Sequence, residues 1–148
     1  VQTCALPILV EKNLYQNVKM VTAFAEKSGA VVAATGKNDI VSDGRKAYWI
    51  QNGHSMMQTV TGVGCQLSAL AAAYVAANPK HTLEAVTAAV SAIGVCGELA
   101  YERMSDLDGN ASYRNYLIDA VYRLDGKKLE RLARVEKVNE DGEKSNEM

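Results

Sequence analysis

The chain is poor in the residues that mark special classes of protein. It has three cysteines, two prolines, two histidines, one tryptophan and one phenylalanine in 148 residues. Cys4, Cys65 and Cys96 make no C-x-x-C pair, and an odd count argues against a disulfide framework. With only His54 and His81 beside them, a zinc centre is not expected, and a reducing cytoplasm suits this usage. Neither sign of charge is in excess: Lys and Arg number 16 and Asp and Glu 17. No basic surplus therefore advertises nucleic acid or an anionic membrane, and neither is expected as a partner. The longest apolar stretches, Leu67–Ala77 and Ala85–Val95, are too short and Ala-rich for a bilayer span. No basic segment followed by an apolar core opens the chain, so no signal peptide is expected.

What is present is the composition of one globular domain, 48% hydrophobic and 22% charged. The first eight residues stand apart. Val1 to Ile8 back-translates as GTT CAG ACG TGT GCT CTT CCG ATC, which resembles the end of a sequencing-library adapter read in frame. Residues 1–8 are expected to be read-through and are set aside from the fold, Cys4 with them. The natural chain is then expected to be longer at its N-terminus. Residues 139–148 are polar throughout and are expected to form a disordered tail.

Between these limits the patterning alternates. Leu14, Val18, Val21 and Ala25 fall on one helical face, and Gly29 supplies the stop. Ala30–Ala34 is an apolar run without alternation, as in a strand buried on both faces, and a helix feeding it is half of a βαβ unit. Asp43-Gly44 between Ile40–Ser42 and Lys46–Ile50 signals a hairpin. Gln66–Ala77 reads as an Ala-rich helix ended by Asn78-Pro79. Thr82 is the expected cap of a second helix running to about Arg103, free of charge for most of its length until Glu98. Both helices need apolar partners, and the second should be buried all round. Tyr113, Tyr116, Leu117, Ala120, Val121 and Leu124 predict another helix, capped by Ser112. A short basic helix follows Asp125-Gly126, and Val135–Val138 reads as a strand.

Chemistry concentrates at Thr61-Gly62-Val63-Gly64-Cys65, where extended chain meets the Ala-rich helix. Two glycines let a ligand approach the backbone, and a helix start offers free N–H groups to phosphate oxygens. The same spacing also describes an ordinary tight turn. Cys65 lies in the first helical turn, where the positive end favours a thiolate; the alternative is a small buried apolar residue. Cys96, mid-helix between Val95 and Gly97, reads as buried. Thr35-Gly36 ends the first strand, where ligands of open α/β sheets gather, although strand-end turns look alike. His54 reads as a loop histidine, His81 as exposed before a helix, and Tyr48 and Trp49 as packing residues. Asp39, Asp43 and Asp108 sit in turns, which accounts for them without metal.

Taken together, Ala33-Ala34-Thr35-Gly36, Asp39, Val41-Ser42-Asp43-Gly44, Asn52-Gly53-His54, Val60-Thr61-Gly62-Val63-Gly64-Cys65, Ile93-Gly94-Val95 and Gly97-Glu98-Leu99-Ala100 resemble the hydroxyethylthiazole kinases. These are ribokinase-like enzymes of thiamine salvage. The likeness covers about Asn17 to Val138, roughly the second half of such a kinase. It implies an α/β fold, partial here: the C-terminal half of a mainly parallel sheet flanked by helices. It also implies transfer of the ATP γ-phosphoryl to the alcohol of 4-methyl-5-(2-hydroxyethyl)thiazole with Mg²⁺, by a cytoplasmic homotrimer. Carried over by position, Thr35 contacts ATP and Gly62 the thiazole. Gly62, Val63, Gly64 and Cys65 form an anion hole, and Cys65 holds the place of the catalytic base. No metal ligand is carried over to this chain. Gly109-Asn110-Ala111-Ser112-Tyr113 departs from the Gly-Pro-Gly-Ser-Phe common in the family. The competing readings are another ribokinase-like kinase, for a sugar or pyridoxal, and a non-catalytic nucleotide-binding remnant.

Overall fold

The computed structural model describes residues 14–138; the octapeptide and the polar tail lie outside the described residues. Five helices and four strands follow in the order α1 (Leu14–Ser28), β1 (Val32–Ala34), β2 (Asp39–Ser42), β3 (Ala47–Ile50), a 3-10 helix (Ser55–Thr59), α2 (Val63–Ala77), α3 (Thr82–Glu102), α4 (Asn110–Arg123), α5 (Gly126–Leu132) and β4 (Val135–Val138). The strands form one sheet in the order β1-β2-β3-β4. All three pairings are antiparallel, with Ala33 opposite Val41, Val41 opposite Tyr48, and Tyr48 opposite Lys137. The expectation of a mainly parallel sheet therefore does not hold among the described residues. For two of the three pairings the physical reason is connection length. Asp43-Gly44 closes β2 onto β3 directly, and only four residues join β1 to β2, too few for a parallel crossover.

The sheet is covered on both faces. On one, Val18, Val21 and Ala25 of α1 pack with Val32, Ala34, Ile40, Ala47 and Val138. On the other, Leu83, Val86 and Val90 of α3 pack with Val41 and Ile50, and Val31, Ala33 and Tyr48 join them. Alternate residues of β1 thus face opposite layers, which is why that run shows no apolar–polar alternation. Among the described residues the outer edge of β1 carries no strand. Gly44 serves this packing. Its φ is +89°, and a Cβ there would stand 2.6 Å from the Glu26 backbone of α1.

Helix α3 is the centre of the molecule. Beyond its sheet-facing side, Ile93, Cys96 and Ala100 pack with Val60, Tyr113, Leu117 and Ala120, bringing α2 and α4 against it. At 21 residues it is long and apolar enough to cross a membrane, but it lies inside the protein. Cys96 is fully buried, and that burial pushes its thiol up to about 11. The two apolar helices fare differently. Fourteen residues of α3 are buried, against Ala71 alone in α2, whose Ser68, Ala69, Ala72, Ala73 and Ala76 are exposed.

Two expected caps are corrected. Thr82 is the first residue of α3 rather than its cap, and its hydroxyl turns back to donate to the Pro79 carbonyl at 3.4 Å. Helix α4 begins at Asn110, so Ser112 lies within its first turn, where it bonds the Asp108 carboxylate instead of the helix backbone. By contrast, Asp125 caps α5, accepting from the Lys128 N–H at 2.8 Å.

The glycines of α3 admit the segment after β3. A Cβ on Gly94 would stand 2.8–2.9 Å from Cβ, C and O of Asn52, and one on Gly97 would stand 2.4 Å from the Met57 sulfur. The clash at Gly94 is with backbone and has no soft escape. Gly94→Ala should therefore destabilise the chain by about 2 kcal/mol. Gly126→Ala, with nothing near its Cβ, should be neutral or stabilising by up to about 1 kcal/mol. Urea unfolding of the two variants checks the contrast, and equal effects would contradict it.

Candidate functional site

The turn singled out in the sequence is a helix start of unusual geometry. Helix α2 begins at Val63, three residues earlier than the apolar pattern predicts, and Gly62 occupies the capping position with φ +100° and ψ −2°. That left-handed conformation is strained for any side chain, even though a Cβ on Gly62 or Gly64 would meet nothing within 4 Å. No side chain caps the helix. The Gly62 carbonyl accepts from the Gln66 N–H at 3.0 Å, so the intrahelical ladder starts there and the N–H groups of Val63, Gly64 and Cys65 precede it. The result is a cluster of backbone donors at the positive end of a 15-residue helix, with open space around both glycines. Cys65 is exposed, so it is not the small buried residue that composition alone allows.

Thr35 follows the last residue of β1 and is half-buried. Among the described residues no hydrogen bond or ion pair joins it to Gly62–Cys65. The connection is through packing: Ala33, two residues before Thr35, and Leu67, two after Cys65, rest on the same buried cluster of Val41, Ile50, Leu83, Val86 and Val90. One apolar cluster thus supports both turns. The turn aspartates are engaged locally. Asp43 accepts from the Arg45 and Lys46 N–H groups at 2.8 Å each, and Asp108 from the N–H and hydroxyl of Ser105, which hold its carboxyl down at about 2. No group of three or more His, Cys, Asp or Glu among the described residues could hold a metal ion, so these residues do not fit a magnesium site of their own.

His54 is more than a loop histidine. Its Nδ1 accepts from the Met56 N–H at 3.2 Å, capping the 3-10 helix that leads into Gly62. Its ring stacks on Tyr101 of α3 with centroids 3.6 Å apart. The sequence also understated Asn52 and Glu98. Asn52, 6% exposed, donates to the Leu132 carbonyl at 3.0 Å and to Glu98 Oε2 at 3.2 Å, and its Oδ1 accepts from the Arg134 N–H at 2.6 Å. Glu98 accepts in addition from the Gly53 N–H at 2.7 Å and pairs with the Arg134 guanidinium. Burial pushes Glu98 up, but Arg134, the Gly53 N–H and the Asn52 amide together hold its carboxyl below the ordinary range. The signal in the sequence was the one charge inside an otherwise uncharged stretch of helix.

The model of the hydroxyethylthiazole kinase family matches residues 10–127 of the chain. The chain belongs to that family. A hydroxyethylthiazole kinase of Clostridium acetobutylicum is 52% identical over 119 residues, which are 80% of this chain and 44% of that protein. A hydroxyethylthiazole kinase 2 of Clostridium botulinum is 37% identical over 120 residues, 81% and 43% of the two. The solved structure of the hydroxyethylthiazole kinase of Pyrococcus horikoshii OT3 superposes with a TM-score of 0.76 at 34% identity, covering 84% of this chain and 47% of that one. The chain thus spans less than half the length of these relatives. The α/β kinase fold expected from the sequence stands, with an antiparallel portion of its sheet in the described residues.

The β1–β2 turn contains one further titrating group. Burial pushes Asp39 up to about 6, against a smaller opposing effect of the Gly36 N–H. A carboxyl raised in the folded state binds more protons than it does unfolded, so stability falls as pH rises from about 4 to about 6. The loss across that window is up to about 3 kcal/mol. Asp39→Asn should remove this slope while leaving the opposite acid-side slope of Glu98. Urea midpoints of both proteins between pH 4 and 7 check it, and parallel pH profiles would contradict it.

Proposed function

We propose that the chain is the ligand-holding part of a hydroxyethylthiazole kinase, transferring the ATP γ-phosphoryl to the hydroxyl of 4-methyl-5-(2-hydroxyethyl)thiazole. The observation that carries this reading is the uncapped start of α2 at left-handed Gly62, in a chain of this family. In the proposed reaction the thiazole alcohol oxygen attacks the γ-phosphorus, the bond to the β-bridging oxygen breaks, and ADP leaves. Such transfer asks for alignment and for dispersal of charge on the phosphoryl oxygens more than for covalent chemistry. The Gly62–Cys65 backbone supplies N–H donors for those oxygens as an anion hole, and Gly62, without a side chain, lets the thiazole lie against it. Thr35 meets the nucleotide. Cys65 Sγ, as a thiolate, receives the alcohol proton and becomes the thiol, or the thiol aligns the alcohol; a thiolate is a modest base for an alcohol, so alignment is its larger share. Magnesium bound with ATP would neutralise phosphate charge, and no ligand set for it is present among the described residues. A cytoplasmic homotrimer completes the reading.

The exposed face of α2 and the edge of β1, which carries no strand among the described residues, support the view that more protein packs here. We therefore expect no thiazole-dependent ADP release from the 148-residue chain, and release when the chain is extended to the length of its relatives. Robust turnover by the chain alone, as a soluble species on size exclusion, would contradict this. In the extended protein Gly62→Val should abolish turnover. Cys65→Ser should lower kcat at least about tenfold with the ATP KM changed less than about twofold. Cys65→Asp should remain active, since a carboxylate also aligns an alcohol and accepts its proton. An inactive but folded Asp variant would remove Cys65 from the proposed role at the alcohol. Turnover with a sugar or pyridoxal in place of the thiazole would favour the other kinase reading, and ATP binding without any turnover the remnant reading.

A further inference from the structure

The connection from β1 to β2 is Thr35-Gly36-Lys37-Asn38, with Gly36 and Lys37 exposed. Strand pairing stops short of it, since Ala34 opposite Ile40 is the last pair. Asp39 opens β2 opposite Ile50 of β3, half-buried, and its Oδ1 accepts from the Gly36 N–H at 2.8 Å. Outside the strand ladder, no other hydrogen bond reaches residues 35–38 among the described residues. We infer that Asp39 is a positioning residue for the nucleotide: by holding the Gly36 N–H it fixes the turn that presents Thr35. The inference rests on the nucleotide reading of Thr35 given above.

The chemistry of the bond fits that role. A carboxylate accepts through either oxygen and has no donor to satisfy, whereas an Asn in its place must keep its carbonyl inward and find a partner for a buried NH₂. A hydrogen bond to an ionised acceptor is also stronger than one between neutral groups. With the Gly36 N–H committed to Asp39, the side chains left on the turn to meet a phosphate are the Thr35 hydroxyl, the Lys37 ammonium and the Asn38 carboxamide. A turn already held in one conformation loses less freedom when the nucleotide arrives. The Asp39 carboxylate is joined to the turn by its bond to the Gly36 N–H, so it acts through Gly36.

The test uses ¹H–¹⁵N spectra and amide exchange of the 148-residue chain, titrated with ATP. In the wild type, ATP should shift the Thr35 and Lys37 amides. Asp39→Ala should free the Gly36 amide to exchange at least about tenfold faster and weaken ATP binding about tenfold, the scale of one lost hydrogen bond. Asp39→Asn should recover most of both losses, which a variant acting only through general packing would not do. Unchanged Gly36 exchange in Asp39→Ala overturns the inference, as does faster exchange with unchanged ATP affinity. A wild type whose 35–38 amides ignore ATP overturns the nucleotide reading and this role with it. That failure is recognisable because Gly36 exchange is read without ATP. Should Asp39→Ala not fold, Asp39→Glu displaces the carboxylate by one methylene; normal ATP affinity with a freed Gly36 amide in that variant overturns the inference equally.

Discussion

The buried amide of Asn52 is where three stretches of chain meet, and the arrangement of the molecule depends on its being satisfied. Its donors reach Leu132 at the end of α5 and Glu98 on α3, and its acceptor takes the N–H of Arg134 just before β4. A buried amide stripped of such partners costs more than the bonds themselves contribute when made. The contact is possible because Gly94, one turn before Glu98, has no side chain to keep the Asn52 backbone away. Helix α3 therefore approaches the end of β3 closely enough for Glu98 to hold Asn52, Gly53 and Arg134 together. From that anchor His54 and Met57 lie along the same helix, and the chain is delivered to Gly62.

This places the candidate site one short 3-10 helix away from the Asn52–Glu98–Arg134 network. What encloses each helix explains the difference between α2 and α3. Residues of α3 are enclosed by the sheet, α2, α4 and the 52–60 segment, whereas α2 has α3 on one side and its alanines exposed on the other. A ligand turn at the start of a half-covered helix is accessible, and its backbone donors gain strength only when further protein excludes water.

Much of this was legible in the sequence because it is local. The hydrophobic spacing gave α1 and α4, Asp43-Gly44 gave the hairpin, and the apolar stretch Ala85–Val95 announced a buried helix. The glycines at 62 and 64 marked a special turn, although the helix starts at Val63 rather than Gln66, since apolar spacing says nothing about a capping glycine at positive φ. What escaped was set by tertiary partners. Strand direction depends on connections that an apolar run does not encode. Ser112 and Thr82 have capping chemistry, but Asp108 and the Pro79 carbonyl compete for their hydroxyls. Asn52 and Glu98 lie 46 residues apart, and no local pattern links a turn asparagine to a helix glutamate.

The central claim is that one buried side chain couples the sheet, α3, α5 and the segment leading to Gly62. Native-state amide exchange of Asn52→Ala tests it most directly. The account predicts that protection falls together, by about a hundredfold or more, in β3, β4, the central turns of α3 and the 55–65 segment, consistent with a loss of roughly 3 kcal/mol. Loss of protection confined to β4 and α5, with α3 and the 55–65 segment unchanged, would contradict it.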